Sequence, residues 1–476
     1  MATVIPAPVT RVDSDGDFTI TATTTISGEP TVTGYLAGLL GLEMMAAGDI
    51  QFILGSGPAP GGYTLVVTPA GIRIEADDAA GLFAGAQTLR QLLPPAAFAT
   101  GPQLTPWLVG ATHIVDYPRF AYRGAMLDVA RHFFPVDAVK RYIDDIAILK
   151  LNYLHLHLTD DQGWRIAIDS WPKLTEVGAV TQVGGGGGGW YSKDEYREIV
   201  RYAASRFITI VPEIDMPGHT NAAIAAYPLL GDAPAMPYEG IEVGFSSLAI
   251  RAESTYRFVD DVVREIAELT PGPYLHLGGD ESLATTEDDF LAFIARATEI
   301  AARYGKTLIG WHEMGRSRDL PRGTVGQYWS FTTAQEGAAE HTVSFVEQGG
   351  QVIMSPADVA YLDIKYDQHS PLGLAWANGP TPLPAAYDWD PADIIPGIGD
   401  DQLLGVEAPV WTETIATIDD LEWMAFPRLA AIAEIAWSAR ELRQFAEFAP
   451  RLAQLGARWD AAGIRFCRAP EVDWLN

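Results

Sequence analysis

Near its N-terminus the chain alternates apolar and polar residues in Tyr63-Thr-Leu-Val-Val and again in Ile72-Arg-Ile-Glu-Ala, on either side of Thr68-Pro-Ala-Gly71. Alternation about a Pro/Gly turn predicts a β-hairpin. The period then lengthens: Leu82, Phe83, Ala86, Leu89 and Leu93 fall on one face of a helix that Pro94-Pro95 closes. Residues 1–115 therefore read as a small α+β domain, and no cluster of His, Asp or Glu marks a site in it.

From Tyr122 onward strand-like and helix-like segments take turns. Arg123-Gly-Ala-Met-Leu-Asp-Val-Ala reads as a strand, and Asp137 is placed to cap a helix with Val139, Tyr142, Ile143, Ile146 and Leu149 on its apolar face. A second strand covers residues 152–158, and Ser192-Lys-Asp-Glu195 is a capping box opening a helix that carries Tyr196, Ile199, Val200 and Ala203. Strands follow at 207–214, after Pro273, and near Leu308, Val325, Val352 and Val406; helices start near Thr255 and at Thr286, the latter stopping at Gly305. Eight strands with intervening helices predict an α/β fold, a (β/α)8 TIM-type barrel over residues 116–476 preceded by the small α+β domain. A doubly wound open sheet is the alternative.

One stretch stands out in this pattern. In Tyr274-Leu-His-Leu-Gly-Gly-Asp-Glu281 a short apolar strand ends in two glycines and two adjacent carboxylates. At the C-terminal end of a barrel strand such acids are candidate catalytic groups; at the start of a helix they would be caps. The glycines allow a tight turn or close approach to a ligand.

Composition narrows the partners. The chain has 476 residues and 61 acidic against 32 basic side chains, net −29, which opposes nucleic acid and anionic membrane surfaces. Thirteen Trp supply stacking surfaces. Cys467 is the single cysteine, expected as a buried bystander, so no internal disulfide or cysteine metal cluster can form. Met1-Ala-Thr-Val-Ile-Pro lacks a basic segment before an apolar core, and no run spans a bilayer; a soluble, cytoplasmic chain is expected, a secreted form with its leader removed being the alternative. Gly184 to Gly189 reads as a mobile lip; it is no phosphate loop, since Trp190-Tyr191 stand where Lys-Ser/Thr would be needed.

Polar residues gather at the predicted strand ends: Asp128 and Arg131-His132, Asp160-Asp161-Gln162, Glu213 with Asp215 and His219, Asp280-Glu281, Trp311-His312-Glu313, Tyr328-Trp329, Tyr361 with Asp363, and Trp411-Thr412-Glu413. On a barrel they converge on one mouth. Acids and an Arg among tryptophans suit a sugar, whose apolar faces stack on indoles while its hydroxyls take hydrogen bonds. His155 and His157 share one strand face and could hold a metal, as in an amidohydrolase using His155, His157, His219 and Asp280; histidines hydrogen-bonded inside the barrel are the favoured reading. A sugar-binding protein without hydrolysis is a further alternative.

These segments resemble family 20 glycoside hydrolases, the β-N-acetylhexosaminidases. The resemblance rests on Pro118-Arg-Phe, Arg123 to His132, Lys150 to Trp164, Pro212-Glu-Ile-Asp-Met-Pro-Gly-His219, His276-Leu-Gly-Gly-Asp-Glu281, Tyr361-Leu-Asp363 and Trp411-Thr-Glu413, in the family's order, and the N-terminal segment resembles the family's small α+β domain. It implies Glu281 as general acid/base, Asp280 as the group orienting the substrate's 2-acetamido, and Tyr361 as donor to the acetamido oxygen. It also implies Trp311, Trp329 and Trp411 as walls, Arg131, Asp363 and Glu413 on sugar hydroxyls, and Asp160 with His219 supporting Glu281, Asp161 being the less favoured member of that pair. No cofactor or metal is implied, and the expected partner is a small carbohydrate or glycan. Ser282-Leu-Ala-Thr, after the acids, matches no role.

Overall fold

The computed structural model describes residues 3–99 and 106–475. The hairpin reading holds: β5 (Tyr63–Thr68) pairs antiparallel with β6 (Gly71–Ala76) about the Pro69-Ala70 turn. They sit in a seven-stranded sheet ordered β1-β7-β5-β6-β4-β2-β3, with β1 Thr10–Ile20, β2 Thr25–Gly28, β3 Glu43–Met44, β4 Ile50–Leu54 and β7 Trp107–Asp116. Helix Ala79–Leu92 buries nearly every side chain because it is covered twice, by this sheet and by the second unit. Phe83 meets Phe207 at 5.1 Å between ring centroids, and Gln91 Nε2 donates to the Ile148 carbonyl at 2.9 Å. A buried ion pair also crosses this joint: Lys150 Nζ lies 2.8 Å from Asp116 Oδ2.

The second unit is a closed barrel of eight parallel strands, which excludes the open doubly wound sheet. Its strands are β8 Tyr122–Asp128, β9 Tyr153–His157, β10 Thr209–Glu213, β11 Tyr274–His276, β12 Thr307–Trp311, β13 Val325–Tyr328, β14 Val352–Met354 and β15 Leu403–Ala408. β15 closes onto β8 with Gly405 opposite Tyr122. Because strand side chains alternate, Leu154 and Leu156 join the core packed with the helices while Tyr153, His155 and His157 point into the barrel.

The interior is filled in layers. Tyr122, Val211, Ile309, Val325 and Ile353, flanked by Tyr153 and Tyr274, plug the end where the strands begin. Above them lies a polar layer: His155 Nδ1 faces Glu407 Oε1 at 2.9 Å, His276 Nδ1 faces Glu213 Oε1 at 3.0 Å, and Gln327 Nε2 donates to Glu407 at 2.7 Å. His155 and His157 are thus hydrogen-bonded inside the barrel, which is costly burial made tolerable by pairing. The top layer is aromatic, with Met126, Trp311, Tyr361 and Trp411 in one cluster.

The helices follow their signals. The Ser192 capping box is complete, and Thr286 caps Glu287–Ala302. Asp137, however, is no cap: helix Val136–Ala147 starts after Pro135, which leaves Asp137 in the first turn, where its charge faces the helix dipole. The glycine run is pinned by its backbone rather than free. Gly184 N–H donates to the Glu239 carbonyl at 2.8 Å and Gly189 N–H to Ala179 at 3.0 Å, and a Cβ on Gly189 would fall 2.2 Å from the Phe133 ring. Cys467 is half-buried rather than buried. Among the described residues no helix is long and apolar enough to cross a membrane.

Candidate active site

β11 stops at His276, and Leu277, Gly278 and Gly279 carry the chain on to the two acids. Asp280 and Glu281 therefore lie in a loop, and the rule that neighbours on a strand point apart does not govern them. Gly278 (φ 68°) and Gly279 (φ 98°) turn the chain through left-handed conformations, and a Cβ at Gly278 would collide with Asp215. Glu281 itself has φ 40°, a conformation that costs a non-glycine residue roughly 1–3 kcal/mol. The result is convergence. His219 Nε2 lies 3.6 Å from Asp280 Oδ2 and 3.6 Å from Glu281 Oε2. Neither acid caps a helix, since the next one begins at Glu287.

Behind His219 the contacts continue into the barrel. Its Nδ1 lies 3.2 Å from Asp160 Oδ1, and Asp160 Oδ2 receives Arg131 Nη2 and His157 Nε2, each at 2.8 Å. His157 Nδ1 meets Glu213 Oε2 at 2.5 Å. Asp161 is engaged elsewhere, its Oδ1 accepting the Asn221 N–H at 2.9 Å and the Ser246 hydroxyl at 2.5 Å. Asp128 binds loop to loop, taking the Ala130 N–H at 2.8 Å and the Thr412 N–H at 3.1 Å.

The acids open onto a cavity of about 320 Å3 lined by Arg131, His219, Ile241, Val243, Asp280, Glu281, Trp329, Tyr361, Asp363, Leu374, Trp376, Trp411 and Glu413. Tyr361 stands 6.2 Å from Trp411 and 5.9 Å from Trp376, measured between ring centroids, and Trp329 is 6.2 Å from Trp376. The Arg131 guanidinium sits 4.9 Å over Trp411. Trp311 and Asp160 do not line the cavity. Trp311 is fully buried beneath it, its indole N–H donating to Glu213 Oε1 at 2.9 Å and its ring 5.9 Å from Trp411.

Five lining residues carry a buried polar atom without a partner among the described residues: Arg131 Nε, His219 Nε2, Asp280 Oδ1, Asp363 Oδ2 and Glu413 Oε2. Buried polar groups are nearly always satisfied, so such a concentration in one cavity marks the place of a polar ligand.

Burial raises Glu281 to about 7, and the neighbouring Asp280 carboxyl adds to the rise. Asp280 is raised to about 6, again chiefly by burial, with His219 opposing and Glu313 reinforcing it. For His219 burial favours the neutral ring, but the carboxylates of Asp160, Asp280 and Asp215 outweigh it and hold its pKa well above the usual value. Asp160 shows the reverse: burial disfavours its charge, yet Arg131 and His219 keep it ionised. Burial holds the Tyr361 phenol well above the usual range, so it is a donor at neutral pH. Burial and the nearby Glu413 likewise push up Asp363.

Among the described residues four clusters bring His and carboxylate atoms within 4.8 Å of one another in a way that could ligate a metal, namely His155, Glu213 and His276; His157, Asp160 and Asp215; Asp160, Asp161 and His219; and Asp215, His219 and Asp280. His155 and His157 fall in different clusters, because the strand aims them at different carboxylates. The four-residue amidohydrolase set is therefore not assembled among the described residues.

Sequence reasoning missed Trp376, Ile241, Val243 and Leu374. All lie in irregular segments without periodicity, which offered no signal beyond the Trp376 side chain itself. In Ser282-Leu-Ala-Thr, the Ser282 and Thr285 hydroxyls pair at 2.7 Å and Thr285 meets Ser247 at 2.7 Å, while Leu283 is 77% exposed beside the mouth.

The model of "Glycosyl hydrolase family 20, catalytic domain" matches residues 120–287 and 282–440, and that of "Glycosyl hydrolase family 20, domain 2" matches residues 1–117. A β-N-acetylhexosaminidase of Cellulomonas fimi is 42% identical over 99% of this chain and 97% of its own. Among solved structures, the Streptomyces plicatus N-acetyl-β-hexosaminidase in complex with Thio-NAglucal superposes with a TM-score of 0.96 at 49% identity, covering 99% of this chain and 97% of that one. The β-N-acetylhexosaminidase of Streptomyces coelicolor A3(2) gives a TM-score of 0.96 at 47% identity, with 99% and 98% covered.

Proposed function

The chain belongs to glycosyl hydrolase family 20, and on that premise we propose that it is an exo-acting β-N-acetylhexosaminidase, releasing terminal non-reducing β-linked N-acetylglucosamine or N-acetylgalactosamine from a glycan. The proposed chemistry is retaining and substrate-assisted. Glu281 gives its proton to the glycosidic oxygen as the bond to C1 breaks, and the acetamido oxygen of the same sugar attacks C1. The oxazolinium so formed is opened by water, whose proton Glu281 takes back. Family 20 is a known exception to the use of a protein nucleophile.

The single observation that carries this reading is the group of unpartnered polar atoms, those of Arg131, His219, Asp280, Asp363 and Glu413, enclosed with Trp329, Tyr361, Trp376 and Trp411 in one cavity of about 320 Å3. That volume lies at the small end of ligand pockets and favours a single terminal sugar. Arg131, Asp363 and Glu413 have donors and acceptors for its hydroxyls. Trp329 and Trp411 offer indole faces, and Trp311 supports Trp411 from below.

Both acids reach one nitrogen of His219, which favours their serving neighbouring parts of one sugar over flanking it from opposite faces. Asp280 then accepts the acetamido N–H and balances the charge on the ring it forms, while Tyr361 donates to the acetamido oxygen. A pKa near 7 lets Glu281 hold its proton until the leaving oxygen needs it. Asp160 and His219 keep a positive charge beside Glu281 for the step in which it is anionic. Dividing the chain at residues 115 and 116 puts every one of these groups on the barrel.

The test is hydrolysis of chromogenic N-acetyl-β-glucosaminide and N-acetyl-β-galactosaminide with a plain β-glucoside as control. Turnover confined to the N-acetylated pair is expected; equal turnover of the glucoside would contradict acetamido participation.

A further inference from the structure

A second cavity, of about 240 Å3, lies where the small domain meets the barrel, beside the ends at which β8, β9 and β10 begin and so away from the two acids. Phe83 and Ala80 of helix Ala79–Leu92 wall it on one side and Phe207, just before β10, on the other. Three cations line it, Arg123, Lys150 and Arg206, and among the described residues no carboxylate does. The chain as a whole carries a net charge of −29, so this is a local reversal.

Two of the cations are matched by acids outside the cavity, Lys150 by Asp116 at 2.8 Å and Arg206 by Asp144 at 2.9 Å. Arg123 is not. It is 8% exposed; its Nε donates to the Lys150 carbonyl at 2.9 Å, its Nη1 to those of Phe120 at 2.9 Å and Ala121 at 3.4 Å, and its guanidinium sits 4.9 Å over Trp437. Nη2 donates to none of the described residues. Buried charges are ordinarily paired or fully hydrogen-bonded. Arg165 shows what a purely structural buried guanidinium looks like in this fold, with all three nitrogens donating to carbonyls, those of Val129, Ala179, Gly189, Ala130 and Thr181. Arg123 keeps one nitrogen free at a cavity instead.

The backbone points to the same place. Among the described residues five non-glycines have positive φ; His219 and Glu281 belong to the sugar cavity, and Lys150 (φ 62°) and Phe207 (φ 55°) line this one. Such strain gathers at binding sites, and glycine would make either turn without it. We propose that this cavity binds a small organic carboxylate, its negative charge on Arg123 Nη2 and its apolar body against Phe83 and Phe207. One unmatched cation calls for one negative charge, which favours a carboxylate over a phosphate dianion. The volume is below that of a drug-sized site and suits a body no larger than a single ring. Because Phe83 belongs to the small domain and Arg123 to the barrel, the ligand touches both.

The experiment is calorimetric titration of the full chain with benzoate at fixed ionic strength, with benzyl alcohol and inorganic phosphate as comparisons. Benzoate should bind at one site per chain with a Kd of about 1 mM or lower, and the alcohol and phosphate each about tenfold or more weakly, since the alcohol lacks the charge and phosphate has one too many. Arg123→Gln should weaken benzoate about tenfold or more. Ala80→Glu sets a carboxylate at the cavity from an exposed position in the first turn of its helix, where an acid is favourable; it should weaken benzoate as much and leave glycoside hydrolysis unchanged. Should Arg123→Gln fail to fold, Ala80→Glu decides alone. Absence of saturable benzoate binding would overturn the proposal, as would equal binding of the alcohol, tighter binding of phosphate, or wild-type affinity in Ala80→Glu. A thiazoline that fills the sugar cavity should leave benzoate binding intact; its loss would place the anion at Arg131 and overturn the assignment here.

Discussion

Replacing Glu281 by Gln keeps the shape of the side chain and removes its one transferable proton. In the wild type that proton is held to about pH 7, because burial and the Asp280 carboxyl both disfavour the anion. Each pH unit above 7 should therefore lower the fraction of protonated donor tenfold, and kcat/KM with it. General acid catalysis contributes about 10²- to 10⁴-fold, equivalent to about 2.7–5.4 kcal/mol of barrier at about 1.36 kcal/mol per decade. The loss should be near the upper figure for an alkyl or sugar leaving group and much smaller for a nitrophenyl group that departs without help. The assay is steady-state hydrolysis of such a pair from pH 4 to 9. An equal loss on both substrates, or an alkaline limb that survives in the variant, would refute the assignment.

The same substitution carries a stability consequence of opposite sign. The folded-state pKa of Glu281 lies above its ordinary value of 4.5, so the folded protein binds this proton more tightly than the unfolded chain does. Below pH 4.5 both states are protonated and the group costs nothing. Between 4.5 and 7 stability falls as pH rises, and above 7 the whole cost of the buried anion is present. Glu281→Gln should then melt higher than wild type at pH 8, with the gain vanishing near pH 4. A difference that does not depend on pH would mean that Glu281 is not held in a charge-averse place.

Asp280→Asn leaves an acceptor but removes the charge that would face a developing oxazolinium, so kcat and the affinity for a thiazoline mimic of that intermediate should both fall by about tenfold or more; an unchanged thiazoline affinity would contradict its role. Arg428 is fully buried and donates to the carbonyls of Leu362 at 2.6 Å, Ile364 at 2.7 Å, and Thr381 and Met424 at 3.2 Å each. Arg428→Ala orphans these acceptors and should cost about 3 kcal/mol or more in denaturant unfolding, with loss of activity because Leu362 separates Tyr361 from Asp363; an unmoved unfolding midpoint would refute it.

The parts of the fold legible beforehand are those in which chemistry repeats. A hairpin, a capping box and eight short apolar segments between amphipathic helices each obey a local rule, and the barrel follows from their order. Asp137 shows where a local rule was applied one step too far: Pro135 already fixed the entry, so the acid two residues on had no capping position to fill. The glycine run misled in the other direction. Lacking side chains it read as free, yet Gly188 and Gly189 sit where a Cβ would strike Ala179, Thr181 or Phe133, so their smallness serves close packing.

The site itself was legible as a set of residue types at strand ends, but its geometry depends on contacts between residues far apart in the chain. Trp376 reaches the cavity on a long irregular segment whose nearby backbone, at Leu362, Ile364 and Thr381, is held by Arg428. No periodicity predicts such a placement. Trp311, expected as a wall of the pocket, lies beneath the cavity: Ile309 points into the barrel, Trp311 on the same strand does too, and its indole lands on Glu213. The two acids fell between these cases. Their adjacency was plain, but treating them as strand neighbours would aim them apart, whereas a run of left-handed residues at Gly278, Gly279 and Glu281 turns both toward His219. A local conformation unfavourable to Glu281 is what joins the pair, and Asp215 closes against Gly278 from outside the loop.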